Sequence, residues 1–194
     1  MEYEARPLGE LLSDIASTAV TPAGGTAGAV VGATGTALCE MVCIHLQGTN
    51  AATDVDLAAH REELEAQRAR MLALAEADAE VVDELFATAG DGADRSTVRR
   101  SVGVPLSLAE ACVEALETAT TVTGAADRPV VADAATGSYF LDAALRSALF
   151  TARNNLGYVD DPSFVEDVER RAADLEASSD RALADVLASV GGNR

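Results

Sequence analysis

The chain has 194 residues, 48% of them hydrophobic but only 4% aromatic, with no tryptophan and a formal net charge of -18. That length supports one domain with a core of ordinary size, and the small side chains that must fill it favour helices packed closely on helices. The 14 basic residues, set against 32 acidic ones, are all arginine and form no stripe that would displace phosphate counterions, which excludes nucleic acid as a partner.

At the N-terminus, MEYEARPLGE has no basic segment followed by an apolar one, so no secretion signal is expected. Leu8, Leu11, Leu12 and Ile15 recur at helical spacing and predict a first helix over about 8–17. A turn, Thr21-Pro22-Ala23-Gly24-Gly25, leads into a second helix over about 26–46. This segment is long enough to span a membrane, but threonines dilute it, Glu40 interrupts it and no basic residues flank it, so no membrane partner is expected. Gly24, Gly28 and Gly32 recur every four residues, with Thr36 continuing the row, and spacing of four places them on one face where another backbone can approach. No strand precedes the glycines and no Gly-Lys-Ser/Thr follows them, so a phosphate-binding loop is not indicated. The stretch reads as a buried helix entered through a glycine turn with outward-facing amides.

A third, long helix is expected over about 54–87, with Leu57, Leu64, Met71, Leu74, Val81, Val82 and Leu85 as its stripe. Breaks are expected at Gly48-Thr49-Asn50, within TAGDGADRS and at GAADRP. The fourth helix, over about 95–121, should be interrupted or kinked near Gly103-Val104-Pro105. A fifth covers about 131–156 and a sixth about 162–190, with Asp161 as its cap and Pro162 at its first position. The pattern contains no strand and no repeat: one all-α domain over residues 1–194, a bundle of about six helices with a glycine-rich second helix.

A lysine-free, strongly acidic chain suits a high-salt cytoplasm, where screening removes its self-repulsion. Three cysteines, Cys39, Cys43 and Cys112, show no framework spacing and indicate a reduced, intracellular setting. Cys39 and Cys43 share a helix face, but His45 points elsewhere and no carboxylate completes a tetrahedral set, so core packing is expected and no metal. His60 is isolated from any nucleophile.

Four segments, in order, resemble the cyclodeaminase/cyclohydrolase family of folate enzymes. TPAGGTAGAVVGATGTALCEMV is similar to its Pro-Gly-Gly-Gly-Ser turn and small-residue helix, LAEADAEVVDELF to its long-helix segment with an aspartate, and VPLSLAEACVEAL to its Val-Pro-Leu helix. VADAATGSYFLDAALRSALFTARNNLG resembles its Ser-Asp-Ala-Gly segment running into Asn-Val-Arg-x-Asn-Leu. The chain departs from that pattern at Ala23, Ala132, Ala135 and Thr151.

The resemblance implies chemistry at the one-carbon unit between N5 and N10 of a tetrahydrofolate derivative, which is substrate rather than resident cofactor. Water adding to a methenyl cation would give 10-formyltetrahydrofolate; the alternative is cyclodeamination of a formimino group with release of ammonia. A carboxylate serves either reaction by offsetting the cation and shuttling a proton. Asp133 is the first choice, although aspartate near a helix start also suits a cap. Asp78 is the second, because aspartate is a poor mid-helix residue. Gly24 and Gly25 would present amides and Thr26 a hydroxyl, while Arg153 and Asn155 would meet the pterin or the glutamate tail. Arg100, with Arg99, is a further tail candidate. The resemblance also implies a homodimer, and Gly28 and Gly32 are where a second copy is expected to approach. A non-catalytic helical scaffold is the competing class; it would show no folate-dependent shift in melting temperature.

Overall fold

Apolar residues at three- and four-residue spacing fold into helices in a computed structural model that describes residues 3–48, 54–87, 94–125 and 128–192. In order these are α1 (Leu8–Ile15), α2 (Gly24–Gly48), α3 (Leu57–Ala87), α4 (Arg95–Gly124), α5 (Arg128–Leu156) and α6 (Pro162–Gly192). No strand occurs among the described residues. The expected breaks at 49–50, 90–92 and 126–127 lie outside them.

Two boundaries differ from expectation for local reasons. α2 begins at Gly24, because the Ala23 carbonyl already accepts the Ala27 N–H (3.0 Å). The expected glycine turn is therefore the first turn of the helix itself. α4 continues unbroken through Gly103, Val104 and Pro105, with Pro105 buried inside it. At the start of α6, Asp161 Oδ1 accepts the Phe164 N–H (3.2 Å) and the Ser163 hydroxyl (2.8 Å), the expected cap with Pro162 behind it. On α1 only Leu11 is buried, whereas Leu8, Leu12 and Ile15 are exposed, so most of the expected stripe has no cover within the chain.

α2 lies along α3 and α5, α4 closes against both of those helices, and α6 covers α4 and α5. The small residues make this spacing possible. A Cβ added to Gly28 would stand 3.5 Å from Ser147 Oγ, and one added to Gly32 would stand 3.0 Å from Met71 Sδ and 3.3 Å from Ala144 Cβ. At Gly35 the added atom would be 2.6 Å from the Gly137 carbonyl oxygen, and the converse distance is also 2.6 Å. Ascending α2 therefore meets descending α5, and the two helices run antiparallel. This corrects the expectation that Gly28 and Gly32 receive a second copy: their face is filled by α3 and α5 of the same chain, and only α2's other side is free. By length and hydropathy α2 could cross a membrane, yet half of its most apolar window is buried in the bundle. Glu40, which interrupts the apolar run, is bound by Arg68 Nε (3.0 Å) and approached by Arg61 (3.9 Å), both from α3.

Candidate active site

Residues from α2, α3, α4 and α5 converge on a cavity of about 660 Å³, within the usual size range of small-molecule sites. Its walls are mainly apolar: Val81, Val82 and Leu85 from α3, and Val98, Val104 and Pro105 from α4. Polar groups enter from three directions, namely Gly24 and Gly25 at the start of α2, Asp78 on α3, and Ser101 and Asn155 from α4 and α5. Among the described lining residues Asp78 is the sole carboxylate, and no arginine lines the cavity.

Asp78 is only 8% exposed. Its Oδ2 accepts the Thr26 hydroxyl at 2.9 Å, and the carboxylate faces the Thr26 main-chain N–H. Asp78 thus caps α2 from a neighbouring helix, facing the partial positive charge of that helix's N-terminus. Burial lifts its carboxyl above the ordinary aspartate range, and the Thr26 hydroxyl and main-chain N–H pull it part of the way back. Gly25 packs so tightly on it that an added Cβ would stand 2.2 Å from Oδ1. A second tie, from the Thr21 hydroxyl to Asp83 Oδ1 (2.9 Å), pins the same entry segment to α3.

Asn155 is anchored from the opposite wall. Its Nδ2 donates to the Ser101 carbonyl at 2.8 Å. Thr151, one of the departures from the family pattern, lines the cavity one turn earlier, and its hydroxyl is turned back onto the Ser147 carbonyl (3.1 Å).

Of the residues singled out from sequence, Gly24, Gly25, Asp78 and Asn155 meet at this cavity, with Thr26 directly behind Asp78. Asp133, Arg153 and Arg100 do not line it. Asp133 lies near the start of α5 and Asn155 near its end, roughly 33 Å apart at 1.5 Å per residue. Arg153 turns toward α6, where Glu176 (2.6 and 3.0 Å) and Glu169 (3.1 Å) hold it and raise its already high pKa. Arg100 Nη1 donates to both carboxylate oxygens of Glu84 (2.9 and 3.0 Å), and Arg99 bonds Asp161 (2.6 Å) while its guanidinium lies 4.9 Å above the Phe164 ring. The sign of each arginine was readable from sequence; its partner, on another helix, was not.

Sequence reasoning missed two contributions. Tyr3, ahead of α1, is 5% exposed, with its main-chain N–H on Glu76 (3.2 Å) and its hydroxyl lodged beside Thr26 and Asp78 but outside hydrogen-bonding geometry. Phe86 and Tyr158 also line the cavity, both largely exposed. Tyr3 and Tyr158 lie outside any helical stripe, whereas Phe86 continues that of α3 four residues after Val82. Cys39, Cys43 and Cys112 are free and buried, and burial pushes the Cys39 thiol up to about 12. Among the described residues no group of three or more His, Cys, Asp or Glu side chains is placed to hold a metal ion.

A family model described as formiminotransferase-cyclodeaminase matches residues 7–174. A methenyltetrahydrofolate cyclohydrolase of Methylorubrum extorquens is 30% identical over 170 residues, covering 80% of this chain and 82% of the relative. Among solved structures, a formiminotetrahydrofolate cyclodeaminase from Thermotoga maritima aligns with a TM-score of 0.93 over 97% of this chain and 98% of its own, at 20% identity. That last likeness is one of fold.

Proposed function

The chain belongs to the formiminotransferase-cyclodeaminase family, and from that premise we propose that it hydrolyses 5,10-methenyltetrahydrofolate to 10-formyltetrahydrofolate. It is an enzyme acting on the N5/N10 one-carbon unit of tetrahydrofolate. The observation that carries the specific reading is Asp78, the one carboxylate among the described lining residues, buried in a mainly apolar cavity of the right size for a pterin.

The methenyl substrate is a cation delocalised over N5, the bridging carbon and N10. Ionised Asp78 offsets that charge in a site where apolar walls weaken screening. A water molecule attacks the bridging carbon and gives a proton to Asp78 as the C–O bond forms. From the tetrahedral carbon the N5–C bond then breaks as N5 takes that proton from Asp78, the hydroxyl proton passes to water as the C=O forms, and the carbon remains on N10 as a formyl group with one proton released overall. A carboxyl raised above its ordinary range is a better base for this shuttle than an exposed aspartate. The test follows methenyl absorbance in molar potassium chloride, with ammonia release from the formimino substrate assayed separately. Loss of absorbance catalysed by the protein supports the proposal; ammonia release without it assigns cyclodeaminase activity instead, and neither activity leaves the scaffold reading.

The functional unit in this reading is a homodimer. The side of α2 and α5 turned away from the bundle is uncharged, with Val31, Thr34 and Ile44 beside Tyr139, Phe140 and the 73%-exposed Phe150. In a chain of charge -18 such a face is where a second copy adds least like-charge repulsion. A two-fold axis crossing α2 and α5 at mid-length reverses the partner's helices and carries the partner subunit's Asp133 toward the Asp78 end. Asp133 then serves a site it cannot reach in its own chain. Asp78→Asn and Asp133→Asn should each be inactive alone, while mixing them under subunit exchange should restore activity. A mixture that stays inactive excludes a shared site, and an active Asp133→Asn enzyme removes Asp133 from the mechanism.

The acidic, lysine-free surface is read as an adaptation to high salt in a cytoplasm. Dilution from molar to tenth-molar potassium chloride lengthens the Debye screening distance from roughly 3 to 10 Å. The melting temperature should fall across that range; a flat curve contradicts the reading.

A further inference from the structure

We propose that Pro105 is a positioning residue. By withholding a helical N–H from the Ser101 carbonyl, it leaves that oxygen to the Asn155 side chain and so fixes which end of the Asn155 amide serves the substrate. In an unbroken α-helix the N–H of residue 105 would bond the carbonyl of residue 101. Proline has no N–H, and its ring crowds that same carbonyl. Yet α4 continues through Pro105, and Ser101 is buried, so its carbonyl needs another donor. Asn155 Nδ2, from α5, supplies it at 2.8 Å.

The orientation of the amide follows from chemistry. A carbonyl can only accept, so the nitrogen of Asn155 must face Ser101, and Oδ1 is the acceptor that Asn155 brings to the cavity wall. Ser101, Pro105 and Asn155 all line the cavity, so the three form one built unit of the site. An acceptor fixed there selects a ligand edge that carries N–H donors. On the folate reading, which this inference deepens, that edge is the lactam N–H and exocyclic amine of the pterin ring. A pterin-like ligand presenting a lone pair there instead would be rejected, because the two acceptors would face each other unpaired.

The test is Pro105→Ala together with Asn155→Asp. Alanine restores the N–H and is a better helix former, so Pro105→Ala should melt at or above the wild-type temperature. Its KM for the methenyl substrate should nevertheless rise on the order of tenfold, with a smaller change in kcat, because ring recognition rather than the reacting carbon is disturbed. Asn155→Asp keeps the size but loses the donor to Ser101, and should raise KM similarly. A readout free of substrate is the Asn155 side-chain NH2 signal in a ¹⁵N-correlated NMR spectrum, assigned by its absence in Asn155→Asp. In wild type it should lie apart from the signal of the exposed Asn154 and exchange slowly, and in Pro105→Ala it should move toward that signal. An unmoved signal with a wild-type KM in Pro105→Ala overturns the proposal. Should Pro105→Ala melt lower, the signal and the Asn155→Asp KM decide, and a wild-type KM in Asn155→Asp overturns it. A wild-type protein without folate turnover would refute the folate reading and leave the amide signal to judge the positioning role alone.

Discussion

Asp78→Asn is expected to lower turnover on the order of a hundredfold or more, in a protein that melts no lower than wild type at neutral pH. The two halves of that expectation have one cause. Asparagine keeps the shape, and its Oδ1 can still accept the Thr26 hydroxyl, so the tie between α3 and the start of α2 survives. What disappears is a charge that burial disfavours and catalysis needs. Because the folded-state pKa of Asp78 is raised, the folded protein holds a proton that the unfolded chain has already released in the window just above the ordinary aspartate value. Stability contributed by this group is therefore present at low pH and lost as pH rises through the folded pKa. The variant lacks that loss. Melting curves of the two proteins, measured across pH, should converge at acid pH and separate in favour of asparagine as pH rises through the window, then run parallel. Wild-type turnover in the variant would remove Asp78 from the chemistry; a lower melting temperature at neutral pH would make its charge structural, held by the α2 terminus.

How far the sequence could be read is clearest at particular residues. The six helices were legible because apolar spacing, caps and breakers are local properties; Asp161 with Pro162 marked the start of α6 from adjacent residues. Asp78 was also visible, since an aspartate in the middle of a long helix needs a reason beyond propensity. The row of glycines on α2 announced that something comes close, but a gap in a surface does not name what fills it, and α3 and α5 of the same chain fill it here. Pro105 signalled a disturbed helix. That its orphaned carbonyl would be taken up by Asn155, more than fifty positions later, could not follow from either neighbourhood alone. For the same reason the arginines were ambiguous: Arg153 and Arg100 are tied to carboxylates on α6 and α3 whose approach only the tertiary arrangement determines.

Gly24 and Gly25 are adjacent, identical and both at the cavity, yet substituting them with alanine should give opposite results. Neither needs glycine for its backbone, because both lie in the first turn of α2 with helical conformation. The difference lies in what each Cβ would meet. At Gly24 nothing lies within 4 Å, so Gly24→Ala should be folded and active, with a gain of at most about 1 kcal/mol from better helix propensity. At Gly25 the new atom would stand 2.2 Å from Asp78 Oδ1 and 2.6 Å from its Cγ. No real contact is that short, so the carboxylate must swing away, and the obvious space for it is the cavity that the substrate should occupy. Its bond to the Thr26 hydroxyl then breaks. Stability should fall by about 1–3 kcal/mol, the usual penalty for overpacking, and turnover should fall nearly as far as in Asp78→Asn. The pH dependence of the residual activity separates this from simple loss of folded protein: a displaced carboxylate, better solvated in the cavity, titrates closer to the ordinary aspartate range, so the acid limb of the profile should move to lower pH. Gly25→Ala with wild-type turnover and an unmoved acid limb would mean that Asp78 can yield to a methyl group without leaving its working position, and the case for its precise placement against α2 would fail.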